Sequence, residues 1–362
     1  MLFLEDQTFG GKVERGRRVA LGMSGGVDSS TAVLMLQHHG YEVLGVTCVF
    51  MPGAEARAAV RGARETCAQL GAEHVAVDCA DMFEERVVAP FADGCARGLT
   101  PSPCVGCNAR CKLPALMGAA DAHGCDFVAT GHYARVGRLG EGGRYAVMRA
   151  LDHAKDQSYM LSQLSQEQLA RLILPLGGMT KLEVREVARA AGIAAADAPD
   201  SQDICFAPQG YRALLAQRGV AFEPGDIVDV RGQVRGRHAG LACYTAGQRR
   251  GIGVAGPEPY YVVGKRADAN ELVIGTREES LIRQVRVGQM AWQAIEPPGA
   301  PLEAMVKLRY RSEPCACIMR VTSSGGVAVE LASPQPATAP GQHAVFYQGA
   351  TVLGGGVIEE VA

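Results

Sequence analysis

Two stretches of this chain hold residue types that can do chemistry. The first is Leu21-Gly22-Met23-Ser24-Gly25-Gly26-Val27-Asp28-Ser29-Ser30, a run of glycines and hydroxyls with one carboxylate. Such a loop, lying where a strand gives way to a helix, offers backbone N–H groups to phosphate oxygens, and the helix dipole adds to the attraction. It lacks the Gly-Lys-Ser/Thr ending of a P-loop kinase, so γ-phosphate transfer is not its natural use. The second stretch is Thr100-Pro101-Ser102-Pro103-Cys104-Val105-Gly106-Cys107-Asn108, with Cys111 one helical turn on. A C-x-x-C places two sulfurs close enough to meet or to share a metal. No second ligand pair of the kind a structural zinc needs is evident. Cys205 stands alone in Asp200-Ser201-Gln202-Asp203-Ile204-Cys205-Phe206, a polar, acid-rich setting that does not suit a packing cysteine.

The surrounding pattern shows how these stretches are held. Val19 to Met23 reads as a buried strand and Thr31 to His39 as a helix closed by Gly40. Glu42–Met51, Glu73–Asp78 and Asp126–Thr130 read as further strands. Ala54–Leu70 and a stretch capped by Asp81 and Glu84, running towards Arg97, read as the helices between them. This alternation predicts an α/β fold with a parallel sheet and helices on both faces, whose ligands lie beyond the carboxyl ends of the strands. The opening loop, Thr47–Cys48 and Gly131–His132 all fall at those ends. Tyr145–Leu151 reads as a strand of its own, and Ser165-x-x-Gln168 and Thr180-x-x-Glu183 as starts of capped helices. From about Ala221 glycines multiply and short alternating runs replace helices, which predicts a small β-rich domain and then a C-terminal β-barrel. The expected boundaries are 1–218, 219–282 and 283–362.

With 362 residues the chain is long enough for two or three domains, and at 48% hydrophobic and 20% charged it is of ordinary globular composition. No apolar run reaches the roughly 18–20 residues of a membrane span, and no secretory signal leads it, so a cytoplasmic enzyme without membrane contact is expected. In a reducing compartment the 12 cysteines are not a disulfide framework. Cys48, Cys67, Cys79, Cys95 and Cys125 read as packing residues. A net charge of −2 gives no sign of nucleic acid. Its distribution does: Arg231, Arg235, Arg237, Arg249 and Arg250 lie in a stretch to Pro257 without an acid, a stripe able to grip a phosphate backbone.

The string S-G-G-x-D-S resembles the signature of PP-loop ATP pyrophosphatases, which adenylate a substrate and release pyrophosphate. Reactive cysteines beside such a loop predict that ATP activates a carbonyl oxygen and sulfur replaces it. Over nearly its whole length the chain then resembles the bacterial tRNA-specific 2-thiouridylases, the MnmA/TrmU family. The strings are Gly22–Ser30, Ala129-Thr130-Gly131-His132-Tyr133-Ala134, Lys155-Asp156-Gln157-Ser158-Tyr159 and Ser201–Phe206. They continue with His238-Ala239-Gly240 to Tyr244–Gly251, Leu308-Arg309-Tyr310-Arg311, Pro340-Gly341-Gln342 and Leu353–Gly356.

The resemblance implies a tRNA-uridine 2-sulfurtransferase acting on the wobble uridine of tRNAs for Lys, Glu and Gln, using ATP with Mg²⁺ and a sulfur donor that is a cysteine desulfurase or a sulfur-relay carrier. ATP would lie on Gly22, Met23, Ser24, Gly25, Gly26, Val27, Asp28 and Ser29, against Cys48 and Gly131. Cys205 matches the persulfide carrier and Cys107 the nucleophile, the two ending in a transient disulfide. Ser102, Pro103, Cys104, His132, Lys155, Asp156, Gln157, Arg309, Tyr310 and Gln342 match tRNA-contacting positions. Two positions depart from the pattern: Ser102 replaces the family's usual Asn, and Cys104 stands where some members have Asp. The second departure leaves an alternative, an iron–sulfur cluster on Cys104, Cys107 and Cys205 that holds the incoming sulfide. The rivals outside this reaction are a PP-loop thiolase of another RNA position, an amidating ligase of small molecules, and an RNA-binding or sulfur-carrier protein with a spent nucleotide loop.

Overall fold

The computed structural model describes residues 4–6, 16–140, 143–199 and 204–362. Asp200, Ser201, Gln202 and Asp203, part of the loop read around Cys205, and most of the Met1–Gly16 lead-in lie outside them.

Five strands form an all-parallel sheet in the order Glu73–Asp78, Glu42–Val49, Arg18–Gly22, Phe127–Ala129 and Leu172–Ile173. Its central strands are continuous apolar runs, as burial on both faces requires: Val19, Ala20 and Leu21 are fully buried. Four strands match expectation closely. The fifth has two residues, too short to leave a periodic signal. The first helix, Val27–His38, starts four residues before the expected Thr31. Ser29 and Ser30 read as loop residues, but their hydroxyls bond back to the Gly26 carbonyl at 3.1 and 2.9 Å, which suits a first helical turn.

Between Glu73–Asp78 and Phe127–Ala129 the chain forms two long helices, each interrupted by one widened, π-type turn. Ala80–Phe83 and Ala89–Ala96 flank the turn Glu84–Val88. Pro103–Cys107 and Leu113–Ala122 flank Asn108–Lys112. The cause is a proline two residues past each turn, Pro90 and Pro114. Its ring has no N–H and crowds the carbonyl four residues back. For Pro114 that carbonyl belongs to Arg110, and the Arg86 guanidinium fills it at 3.2 Å; Gln168 Nε2 fills the neighbouring Ala109 carbonyl at 2.7 Å. The cap expected of Asp81 and Glu84 is not formed. Cys79 occupies the N-cap position without a side-chain bond, and Glu84 pairs with Arg218. The capping boxes of Ser165 with Gln168 and Thr180 with Glu183 are both present, starting Gln166–Arg171 and Lys181–Ala190.

The central region is a four-stranded sheet, Val234–His238, Gly225–Asp229, Glu271–Gly275 and Tyr261–Arg266, over a small core of Ile227, Val262, Leu272 and Ile274. Beyond it six antiparallel strands close into a barrel. In order around it they are Leu281–Trp292, Val327–Pro336, Cys315–Val321, Leu302–Lys307, His343–Gln348 and Thr351–Val361, the last returning to the first. The glycines of Gly354–Gly356 hid the closing strand. A hairpin from the N-terminal half, Ala134–Leu139 with Tyr145–Arg149, extends this barrel sheet through Met148 opposite Thr351. Among the described residues no helix is long and apolar enough to cross a membrane.

Candidate active site

The nucleotide loop leaves Gly22 and enters its helix at Gly26, whose extended backbone carries no side-chain cap, so the first-turn N–H groups point outward. Within the loop Ser24 and Ser29 hold each other, Oγ to Oγ at 3.2 Å, and Gly25 takes φ +77°, open to glycine at little strain. Met23 is buried and bonds Val46, so its backbone alone reaches the loop. Gly131, on a separate strand end, packs against the helix start: a Cβ there would sit 3.2 Å from the Ser29 nitrogen. Asp28 Oδ1 accepts from the Tyr133 hydroxyl at 2.8 Å and from Lys181 Nζ at 2.6 Å. Gly22–Ser30 contains no cation. Lys181, the first residue of the Thr180-capped helix, brings one, and nothing in its own sequence context marks it out.

The thiols are brought together by other elements. Cys107 ends the segment before the widened turn, and Cys205 is placed by its neighbour Phe206, which is buried against Phe83 and Phe91 at ring distances of 5.6 and 5.4 Å. Cys107, Ile204, Phe206 and Cys111 share one core cluster. Cys107 is acidified to about 7: first by a hydrogen bond from the Cys111 thiol, then by the Lys112 and Arg110 charges. Cys205 and Cys104, exposed as residues, are both raised. Partial desolvation comes first, then the charge of Cys107 on Cys205 and of Cys205 on Cys104. One cation links the two halves. The ammonium of Lys112 acts on Cys104, Cys107 and Cys205, and also on Cys48 and His132 at the strand ends. Sequence reasoning passed over Lys112; its place directly after Cys111 on the same helix is the signal that was there.

His132 is pushed down to about 3 by burial and Lys112, so it is a neutral imidazole, its Nδ1 2.8 Å from Thr130 Oγ1. Cys48 reads as more than packing: it hydrogen-bonds the Cys79 thiol, which is lowered in turn.

Several expected RNA-facing residues have internal partners. Asp156 is 6% exposed and accepts from Ala150, Ser158 and Arg149. Gln157 accepts from the Tyr133 N–H and fixes the Gly131–Tyr133 loop. Arg309 donates to the carbonyls of Ala246 and Ala337, joining the barrel to the central sheet. Gln342 bonds the Thr100 carbonyl at 2.7 Å, and Ser102 N–H the Gly341 carbonyl at 3.2 Å, so the loop before Pro103 is tied to the barrel. Tyr310 packs on Tyr159 and Lys155 is half-buried. Of the basic stripe, Arg235 and Arg237 pair with Asp229 and Asp226, acids lying just before the acid-free stretch. Arg231, Arg249 and Arg250 are exposed, with no ion pair among the described residues. Cys104, Cys107 and Cys205 share one electrostatic neighbourhood, yet among the described residues no three His, Cys, Asp or Glu side chains converge to hold a metal ion.

Three consecutive parts of the chain match known families. Residues 17–209 match the tRNA methyl transferase HUP domain, 214–276 the tRNA methyl transferase PRC-barrel domain, and 282–358 the aminomethyltransferase beta-barrel domain. The tRNA-specific 2-thiouridylase MnmA of Nostoc punctiforme is 41% identical over 349 residues, 95% of this chain and 99% of that protein. That of Chloroflexus aurantiacus is 44% identical over 351 residues, 94% of this chain and 98% of its own. The chain belongs to the tRNA-specific 2-thiouridylase family. The U34-tRNA thiolase NcsA of Methanococcus maripaludis, solved with its 4Fe–4S cluster, aligns over 59% of this chain and 67% of its own at 18% identity and a TM-score of 0.38. That likeness carries no argument for a 2-thiouridylase.

Proposed function

We propose that this 2-thiouridylase converts the C2 oxygen of the tRNA wobble uridine, in tRNAs for Lys, Glu and Gln, to sulfur through a persulfide on Cys205. The supporting observation is the common field of Lys112, which spans the nucleotide side at Cys48 and His132 and the sulfur side at Cys107 and Cys205. The proposed boundaries of the three parts are 1–218, 219–282 and 283–362.

ATP lies on Gly22, Met23, Ser24, Gly25, Gly26, Val27, Asp28 and Ser29, with Cys48 and Gly131 beside it. The uridine O2 attacks the α-phosphorus and pyrophosphate leaves, its charge met by helix N–H groups and Lys181. A single carboxylate beside phosphates suits Mg²⁺. Asp28 is the residue to hold it, and the ion supplies charge neutralisation on the departing pyrophosphate. The terminal sulfur of the Cys205 persulfide attacks C2 and displaces AMP. The Cys107 thiolate then attacks Cys205 Sγ, releasing 2-thiouridine and leaving a Cys107–Cys205 disulfide. Its lowered pKa keeps it reactive at neutral pH.

The uridine is splayed towards Ser102, Pro103, Cys104 and His132, beside Lys155, while Arg249 and Arg250 meet the RNA backbone. Asp156, Gln157, Arg309, Tyr310 and Gln342 serve that contact by holding its loops. The donor is a cysteine desulfurase or a sulfur-relay carrier, which meets Cys205 at the surface, and the compartment is the cytoplasm.

Nucleoside mass spectrometry of tRNA incubated with ATP and a persulfide donor tests this reading. Cys205→Ser and Cys107→Ser are expected to abolish 2-thiouridine while ATP and tRNA still bind. Product from either variant, or activity lost with bound iron, refutes it. Pyrophosphate release without RNA but with a small amide donor would point to a ligase instead.

A further inference from the structure

Two residues from outside the nucleotide loop converge on one oxygen inside it. Asp28 Oδ1 accepts from the Tyr133 hydroxyl at 2.8 Å and from Lys181 Nζ at 2.6 Å. Both donors lead back to the 152–157 segment. At one end of it Gln157 holds Tyr133 by two bonds. Its N–H donates to the Tyr133 carbonyl at 2.7 Å, and its Oε1 accepts from the Tyr133 N–H at 2.8 Å. At the other end Asp152 Oδ2 accepts from the Lys181 N–H at 3.0 Å. The same aspartate shapes the segment: Oδ1 accepts from the Ala154 N–H at 3.1 Å and its carbonyl from the Lys155 N–H at 3.0 Å. These bonds and the chain between them close a ring through Asp28, Tyr133, Gln157, Asp152 and Lys181. Tyr133 is 3% exposed and Lys181 9%, whereas His153 and Ala154, between the two held ends, are exposed.

We propose that Tyr133 is a positioning residue of the reaction: its hydroxyl couples the 152–157 segment to Asp28, so that tRNA held on that segment tightens the nucleotide site. The inference rests on the reading above that sets the RNA beside Lys155.

Lys181 is the element with two arrangements. Its ammonium is bonded to Asp28, and phosphate oxygens on the loop draw on the same charge. When it turns to them, Oδ1 loses one of its two donors and depends on the Tyr133 hydroxyl, because a carboxylate left without a donor is costly. Gln157 keeps Tyr133 in place, and the segment that meets the RNA keeps Gln157 in place. RNA on the segment therefore favours the arrangement that releases Lys181 to the phosphates, and by linkage the nucleotide favours RNA to the same degree. The Tyr133 ring belongs to the core cluster that holds Val27 and Ala150, so Tyr133→Phe keeps the packing and removes the bond.

The test is the affinity of the full-length protein for α,β-methylene-ATP, which cannot release pyrophosphate, with and without saturating unmodified tRNA. In the wild type the tRNA is expected to tighten the analogue at least about fivefold, and the analogue to tighten the tRNA by the same factor. Tyr133→Phe is expected to bring both ratios below about twofold. Gln157→Ala, which removes the acceptor for the Tyr133 N–H, is expected to do the same, and Gln157→Glu, which keeps an acceptor, to retain the coupling. Damage that is merely structural weakens the analogue with and without tRNA alike and leaves the ratio as it was. No tightening in the wild type, or a wild-type ratio in Tyr133→Phe, overturns the proposal. Should that variant not fold, a wild-type ratio in Gln157→Ala overturns it. A wild type that thiolates tRNA without any coupling leaves the reaction standing and the proposal fallen, whereas one that binds no tRNA sinks both.

Discussion

Cys107 sits in a local field made by three consecutive features of its own helix: the Arg110 guanidinium, the Cys111 thiol and the Lys112 ammonium. An ordinary thiol near 9 becomes one near 7, so most of its ionisation happens across neutral pH. Its alkylation rate is expected to rise with pH about a midpoint near 7. In Lys112→Met that midpoint moves upward, because the thiolate loses a cation while the thiol loses nothing. An unchanged midpoint by iodoacetamide kinetics would remove Lys112 from the site. The cysteines were legible in the sequence because their surroundings were wrong for packing: Cys205 among acids, Cys107 in a proline-stiffened loop. Lys112 and Lys181 were not, since a lysine on a helix is ordinarily a solvated one. Only tertiary placement brings Lys112 beside the thiols and Lys181 onto Asp28.

Helical elements set those placements through a defect. Between Arg97 and Asp126 the sequence marks no helix beyond the turn from Cys107 to Cys111, in a stretch that holds Pro101, Pro103, Gly106, Pro114 and Gly118. The chain instead continues as a helix by widening one turn, and the carbonyls freed there are taken up by Arg86 and Gln168. Periodicity cannot foresee this, because the compensating donors come from other helices. The strands, by contrast, were readable from apolar runs, and the two capping boxes from four residues each. Arg86→Met leaves the Arg110 carbonyl without its donor. It is expected to destabilise the protein by about 0.5–1.5 kcal/mol, read as a lower urea midpoint, and to raise the Cys107 alkylation midpoint as the turn relaxes. Stability equal to wild type would show that the widened turn does not need Arg86.

At the scale of the whole molecule, the central sheet presents Arg231, Arg249 and Arg250, while Arg235 and Arg237 are neutralised by nearby aspartates. Each of Arg249→Gln and Arg250→Gln is expected to reduce the slope of log tRNA affinity against log salt by about 1, and Arg235→Gln by much less. Equal effects at all three would deny that the ion pairs matter. Reading charge along the sequence missed the pairing because Asp226 and Asp229 lie one strand earlier. The barrel is joined to the rest by more than contact. Its sheet continues into the Ala134–Arg149 hairpin, Tyr159 donates to the His343 carbonyl, and Gln342 ties the loop that leads into Cys104 and Cys107. Thr351–Val361, the strand that closes this barrel, is synthesised after every other element described. The segment that leads into Cys104 and Cys107 is thus held by a residue 242 positions further along the chain, so the placing of these thiols depends on a barrel that is already closed.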